Sequence, residues 1–119
     1  MAWLLHGDRV LASVETAVDA RARSRGLLGR DGIDGVLLLQ PASAIHTIGM
    51  RFAIDAAYCS SSVDGEDMDL VVQDVVTMPP NRLGRPRPRC RVILEAESGR
   101  FAKWGITSGD ELHIRLAEQ

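Results

Sequence analysis

Apolar and polar positions alternate with a period of two along most of this chain, which predicts strands rather than helices. Residues 2–6 and 9–15 are short apolar runs separated by Gly7-Asp8, the signature of an opening β-hairpin. In the second run Val10, Ala12 and Val14 fall on one side. Val36-Leu37-Leu38-Leu39 is a continuous apolar run between the turn-rich 31–35 segment and Pro41, which predicts a short strand buried on both faces. From Met50 the alternation puts Met50, Phe52, Ile54, Ala56 and Tyr58 on one face, with Arg51, Ala53, Asp55, Ala57 and Cys59 on the other. Residues 60–69 are a polar, acidic excursion holding Asp64, Glu66, Asp67 and Asp69. A β-rich run follows over 70–78, then an irregular loop over 79–89 containing Pro79, Pro80, Pro86 and Pro88. Val92, Leu94 and Ala96 alternate in a further strand, and Leu112, Ile114 and Leu116 do so after the turn at Gly109-Asp110.

One segment departs from this period. Thr16 followed by Asp19 resembles a capping box, so a helix is expected to start there and run to about Leu28, with Gly29 as its stop. On a helical wheel Val18, Ala22, Arg25 and Gly29 share a narrow stripe facing the core, while Asp19 and Arg23 point away. Arg25 cannot shed its charge, so it either meets a buried acid or anion, Asp55 or Glu95 being candidates, or snorkels to water. Residues 98–104 can form one or two further helical turns.

Six to eight short strands and few helices predict a mainly β fold, α+β by content. The expected form is a small antiparallel barrel or sandwich with one α-helix near the N-terminus and a short helix near the C-terminus. Strands are not separated by regular helices, which excludes a parallel α/β sheet. With 119 residues and no linker or internal repeat, residues 1–119 read as a single domain.

Composition narrows the function classes. Formal net charge is −2, which argues against a nucleic-acid partner. The positive charge is nearly all arginine, with Lys103 the only lysine, a bias that suggests a GC-rich bacterial genome. No apolar run approaches the roughly 18 residues of a membrane span, and the first residues lack the pattern of a secretion signal. The expected setting is therefore the cytoplasm, with no membrane partner and with Cys59 and Cys90 as free thiols.

The candidate chemistry is sparse. His6, His46 and His113 have no His or Cys at ligand spacing, so no metal is expected, and no cofactor-binding motif is present. His6 and His113 read as solvated, whereas His46 lies in a stretch that a fold could enclose. Arg82, Arg85, Arg87, Arg89 and Arg91 form a basic run that could contact phosphate. It lacks interleaved aromatic residues, and reads better as a stiff solvated loop facing the acidic 64–69 excursion. Asp55 and Glu95 could act as acid and base if they share a cleft.

Three stretches, taken together, carry a family resemblance. They are Ser24-Arg-Gly-Leu-Leu-Gly-Arg30, His46-Thr-Ile-Gly-Met-Arg-Phe-Ala-Ile-Asp55, and Val92-Ile-Leu-Glu-Ala-Glu-Ser-Gly99 with Trp104-Gly-Ile-Thr-Ser-Gly-Asp110 behind it. Their order over about residues 9–117 resembles the bacterial and archaeal domain of unknown function 192, in a His-Thr-x-Gly-Met branch. The resemblance implies a small β-rich domain with a short helix near its start. Arg25, Gly26, Leu27, Asp55, Leu94, Glu95, Gly99, Gly109 and Asp110 match family positions, and the family has no established activity.

The reading that follows is a binding or accessory module, with no catalytic residues, whose small polar or anion-accepting pocket is lined by Arg25, His46, Asp55 and Glu95. It takes a small polar or anionic ligand and no cofactor. Two alternatives stand beside it: a hydrolase-type enzyme using the Asp55 and Glu95 carboxylates, and a protein-interaction module using the 79–91 Arg/Pro loop.

Overall fold

The computed structural model describes residues 2–17, 19–64 and 67–116. Seven strands, β1 (Ala2–His6), β2 (Arg9–Ala17), β3 (Val36–Leu39), β4 (Ile54–Asp64), β5 (Asp67–Met78), β6 (Val92–Glu97) and β7 (Glu111–Leu116), close into a barrel. Two short helices accompany them, α1 (Ala20–Arg25) and α2 (Arg100–Lys103). Around the barrel the order is β1-β2-β3-β6-β4-β5-β7, with β7 pairing back onto β1. Every neighbouring pair is antiparallel except β2–β3, which runs parallel.

The barrel interior is filled by side chains on one face of each strand. Leu4, Val14, Leu38, Ala57, Cys59, Leu70, Leu94 and Leu112 are among them, and Phe101 of α2 joins this core. A second apolar core lies outside the wall. It joins the outer faces of β3, β4 and β6 (Leu37, Leu39, Ile54, Ala56, Tyr58, Ile93) to Leu27, Met50 and Cys90 from the covering segments. The strands β3 and β6 are therefore buried on both sides, as the unbroken Val36–Leu39 run requires.

Several expectations need correction. The hairpin forms, but the register shifts between Leu4 and Leu5, so Val10 pairs with Leu5 and is 59% exposed while Val14 stays inside. The Met50 alternation is real as a core pattern, but the strand starts only at Ile54. The polar 60–69 segment is no loop excursion: β4 runs on to Asp64 and β5 begins at Asp67. The segment can be strand because Ser62, Asp67 and Asp69 are exposed where the wall meets water. Val18 and Glu66 lie outside the described residues.

The first helix is shorter and shallower than its wheel predicts. Thr16 belongs to β2, and Asp19 is the N-cap, its Oδ1 accepting from Ala22 N–H at 2.8 Å. The helix ends at Arg25 because Gly26 turns out of it at φ 51°, ψ −127°, a conformation open to glycine. No residue of α1 is buried, and the anchoring side chain is Leu27, beyond the helix.

Candidate functional site

The outer core is covered by α1 with the turn that follows it, by residues 41–53, and by the proline-rich 79–91 loop. The latter two segments are stapled together at Thr47, which is fully buried. Its hydroxyl donates to Pro79 C=O at 2.6 Å and accepts from Arg82 N–H at 2.9 Å. Its backbone N–H donates to Arg82 C=O, and its C=O accepts from Asn81 N–H. The loop is further held by Arg87, whose guanidinium lies 4.2 Å over the Tyr58 ring and donates to Asp74 at 3.0 Å. Its ionic partner is thus Asp74 in mid-β5 and not the acidic 64–69 segment. A loop bonded this closely to its own domain is poorly suited to be a free docking arm.

Between the α1 turn and residues 44–50 the cover leaves a cleft of about 170 Å³ over the outer face of β3 and β6. Leu27, Leu39, Ile45 and Met50 give it apolar walls, and Arg25 and His46 stand at its side. Both of those side chains are exposed, and Nδ1 of His46 accepts from Ile48 N–H at 3.2 Å. Glu95 also lines the cleft, yet is only 3% exposed.

Glu95 reaches this place through strand register. On β6 it pairs across to Leu37 of β3 on one side and Ala56 of β4 on the other, so it shares their outward face. The small Ala56 leaves room above it, and the absent side chain of Gly26 does the same, since a Cβ there would stand 3.3 Å from Glu95 Oε1. That oxygen is buried without a hydrogen-bond partner. Burial pushes the carboxyl up from 4.5 to about 7. Among the described residues no ion pair joins Arg25 to Glu95 or to Asp55, so the sequence-based idea of a structural Arg25 ion pair does not hold. The helix stops before it could carry Arg25 inward.

Asp55 stands apart from the cleft. It pairs with Ala96, one residue beyond Glu95, and so faces the barrel interior. There it accepts from Thr77 Oγ1 at 2.7 Å and from Gly99 N–H at 2.9 Å, tying β5 and the α2 turn to β4. The two carboxylates therefore share no cleft, which removes the geometric basis for a hydrolase that uses both. The structure brings together Arg25, His46 and Glu95, and leaves Asp55 out. Sequence reasoning missed Thr47 as the staple, and no local pattern marks it, because its hydroxyl's partners Pro79 and Arg82 lie 32 and 35 residues away in sequence.

The remaining histidines lie at the surface, His113 against Asp69 and His6 at 3.8 Å from Asp110. Among the described residues no three His, Cys, Asp or Glu side chains gather where they could hold a metal ion. No helix among them is long and apolar enough to cross a membrane.

A closed seven-stranded barrel whose outer face is roofed to leave one carboxylate-floored cleft is the class of domain these features define. Residues 3–114 match the family DUF192, described as Uncharacterized ACR, and the chain belongs to that family. A crystal structure of a protein of unknown function from Novosphingobium aromaticivorans DSM 12444 has the same fold, with a TM-score of 0.72 and 14% identity. The match covers 93% of this chain and 81% of that one. No curated protein matches the chain.

Proposed function

We propose that this chain is a binding domain without chemistry of its own, and that the cleft between Arg25, His46 and Glu95 takes a small polar ligand carrying an anionic group. The observation that carries the reading is Glu95 Oε1, a buried acceptor with no partner beside an open cleft. Leaving such an atom unsatisfied costs roughly 1–3 kcal/mol, a cost that a bound donor would offset. Arg25 and His46 supply positive or donor character at the side of the cleft, where an anionic group keeps contact with water. Drug-sized ligands fill roughly 300–1,000 Å³, so this cleft suits something smaller. A cytoplasmic setting fits the two buried free thiols, Cys59 and Cys90.

The test is a titration of the ¹⁵N-labelled domain with a panel of small mono- and bifunctional carboxylic acids. Saturable shifts confined to the amides of residues 23–28, 44–50 and 94–96 are expected from at least one acid. Shifts elsewhere only, or none from any compound, would remove the proposal.

A further inference from the structure

Resting on that reading of the cleft, we infer that the ligand enters amine first: a short aliphatic amino acid whose ammonium group meets Glu95 and whose carboxylate stays at the mouth with Arg25. The polarity of the cleft sets this order. Its enclosed end holds an acceptor, Glu95, which is 3% exposed with Oε1 unpartnered. Its open side holds donors, Arg25 and His46, both exposed. An anionic group pushed to the floor would face the Glu95 carboxylate in a low-dielectric setting and be repelled. At the mouth the same group meets a guanidinium that has no acidic partner among the described residues.

A hydroxyl at the floor would satisfy Oε1 but would not compensate the negative charge of the ionised form. An ammonium does both, supplying three donors and an opposite charge. When Glu95 is protonated before binding, its proton goes to solvent as the ammonium arrives, so the pair forms as carboxylate and cation. The charged and titratable groups around Glu95 are Arg23 and Arg25 of the α1 turn, His46 of the covering segment and Tyr58 of β4. None of them is an anion at neutral pH that would compete for the ammonium.

Between the two charged ends Leu27, Leu39, Ile45 and Met50 supply an aliphatic stretch of wall. They match a run of methylenes. The cleft holds about 170 Å³, about six waters at roughly 30 Å³ each, which limits the ligand to a few carbons between its ends.

The experiment compares 4-aminobutanoate and 5-aminopentanoate with butanoate, butylamine, 4-hydroxybutanoate and butanedioate, followed by amide shifts in wild type and Glu95→Gln. The amino acids are expected to bind about tenfold or more tightly than any one-ended or dianionic probe, and to lose about that factor in Glu95→Gln. An Arg25→Ser variant should weaken the amino acids and butanoate alike while leaving butylamine unchanged. Glu95→Gln removes a buried ionisable group without changing shape, and its amide spectrum reports whether the fold is kept. Equal or tighter binding of 4-hydroxybutanoate or butanedioate at the cleft would overturn the amine-first inference while the binding-domain reading survives. Undiminished amino acid binding by Glu95→Gln would do the same. Silence of the cleft amides toward all six probes would overturn both.

Discussion

Asp55 and Glu95 are carried by adjacent paired strands and each is 3% exposed, yet their side chains leave opposite faces of the barrel wall. Asp55 is fully engaged, holding a threonine hydroxyl and a backbone amide. Glu95 has an oxygen that holds nothing. Two acids of equal burial thus differ in what they do for the fold, and their substitution should move stability in opposite directions.

Glu95→Gln is expected to stabilise the domain above neutral pH. In the folded chain the carboxyl is raised to about 7, against 4.5 in a solvated chain. Between those values the folded state keeps a proton that the unfolded state has released, so stability falls as pH rises through that window and levels off above it. The wild type should lose about 3 kcal/mol from this group between about pH 4.5 and 7. The variant should lack that slope. Urea unfolding at pH 5, 6, 7 and 8 measures it; parallel slopes for the two proteins would refute it.

Asp55→Ala is expected to destabilise by about 1–3 kcal/mol at pH 7, because Gly99 N–H and Thr77 Oγ1 both lose their acceptor. Asp55→Asn should fall between, since its amide oxygen can still accept one of the two bonds. Thermal or urea unfolding distinguishes the three proteins. Neither variant should alter the amide shifts that a ligand induces at residues 44–50, as Asp55 does not border the cleft.

Gly26→Ala is expected to cost on the order of 1–3 kcal/mol, since a side chain is forced into the φ 51°, ψ −127° turn that ends α1. Its Cβ would also stand 3.3 Å from Glu95 Oε1 and narrow the cleft floor. Gly105→Ala is the control. That residue also has positive φ, at 73°, but nothing lies within 4 Å of the added carbon. It should lose stability without changing the cleft amides, whereas Gly26→Ala should shift them.

Arg87→Ala is expected to loosen the 79–91 loop. The substitution removes both the guanidinium over Tyr58 and the bond to Asp74, with an effect of about 1–2 kcal/mol. Arg87→Lys keeps the charge but not the flat stacking face, and should recover less than half of that. Faster hydrogen exchange at Arg82 and Gly84, whose amides bond to Thr47 and Ile45, would report the loosening.

Most strands were readable because they follow one periodicity that water enforces, alternation where one face is covered and an unbroken apolar run at Val36–Leu39 where both are, whereas the polar 60–69 ends of β4 and β5 were not. Even the outer core was visible in outline, since Met50, Phe52, Ile54, Ala56 and Tyr58 all pack into it. The helix was misread because its wheel assumes that the helix continues. Gly26 ends it, so Arg25 stays outside and Leu27 turns in. The grouping of Asp55 with Glu95 failed for a different reason. Period-two reasoning gives the faces of each strand separately, and only the pairing of Ala56 with Glu95 relates the two strands. The roof itself left little trace, because it is built from loops whose order rests on single contacts such as those of Thr47.

Because β7 pairs with both β5 and β1, the sheet becomes a ring with no first or last strand. The ring leaves free edge only where neighbouring strands differ in length, as where β5 beyond Val72 is paired on its β4 side alone and β4 beyond Cys59 on its β5 side alone. Any added strand is thereby confined to such short stretches.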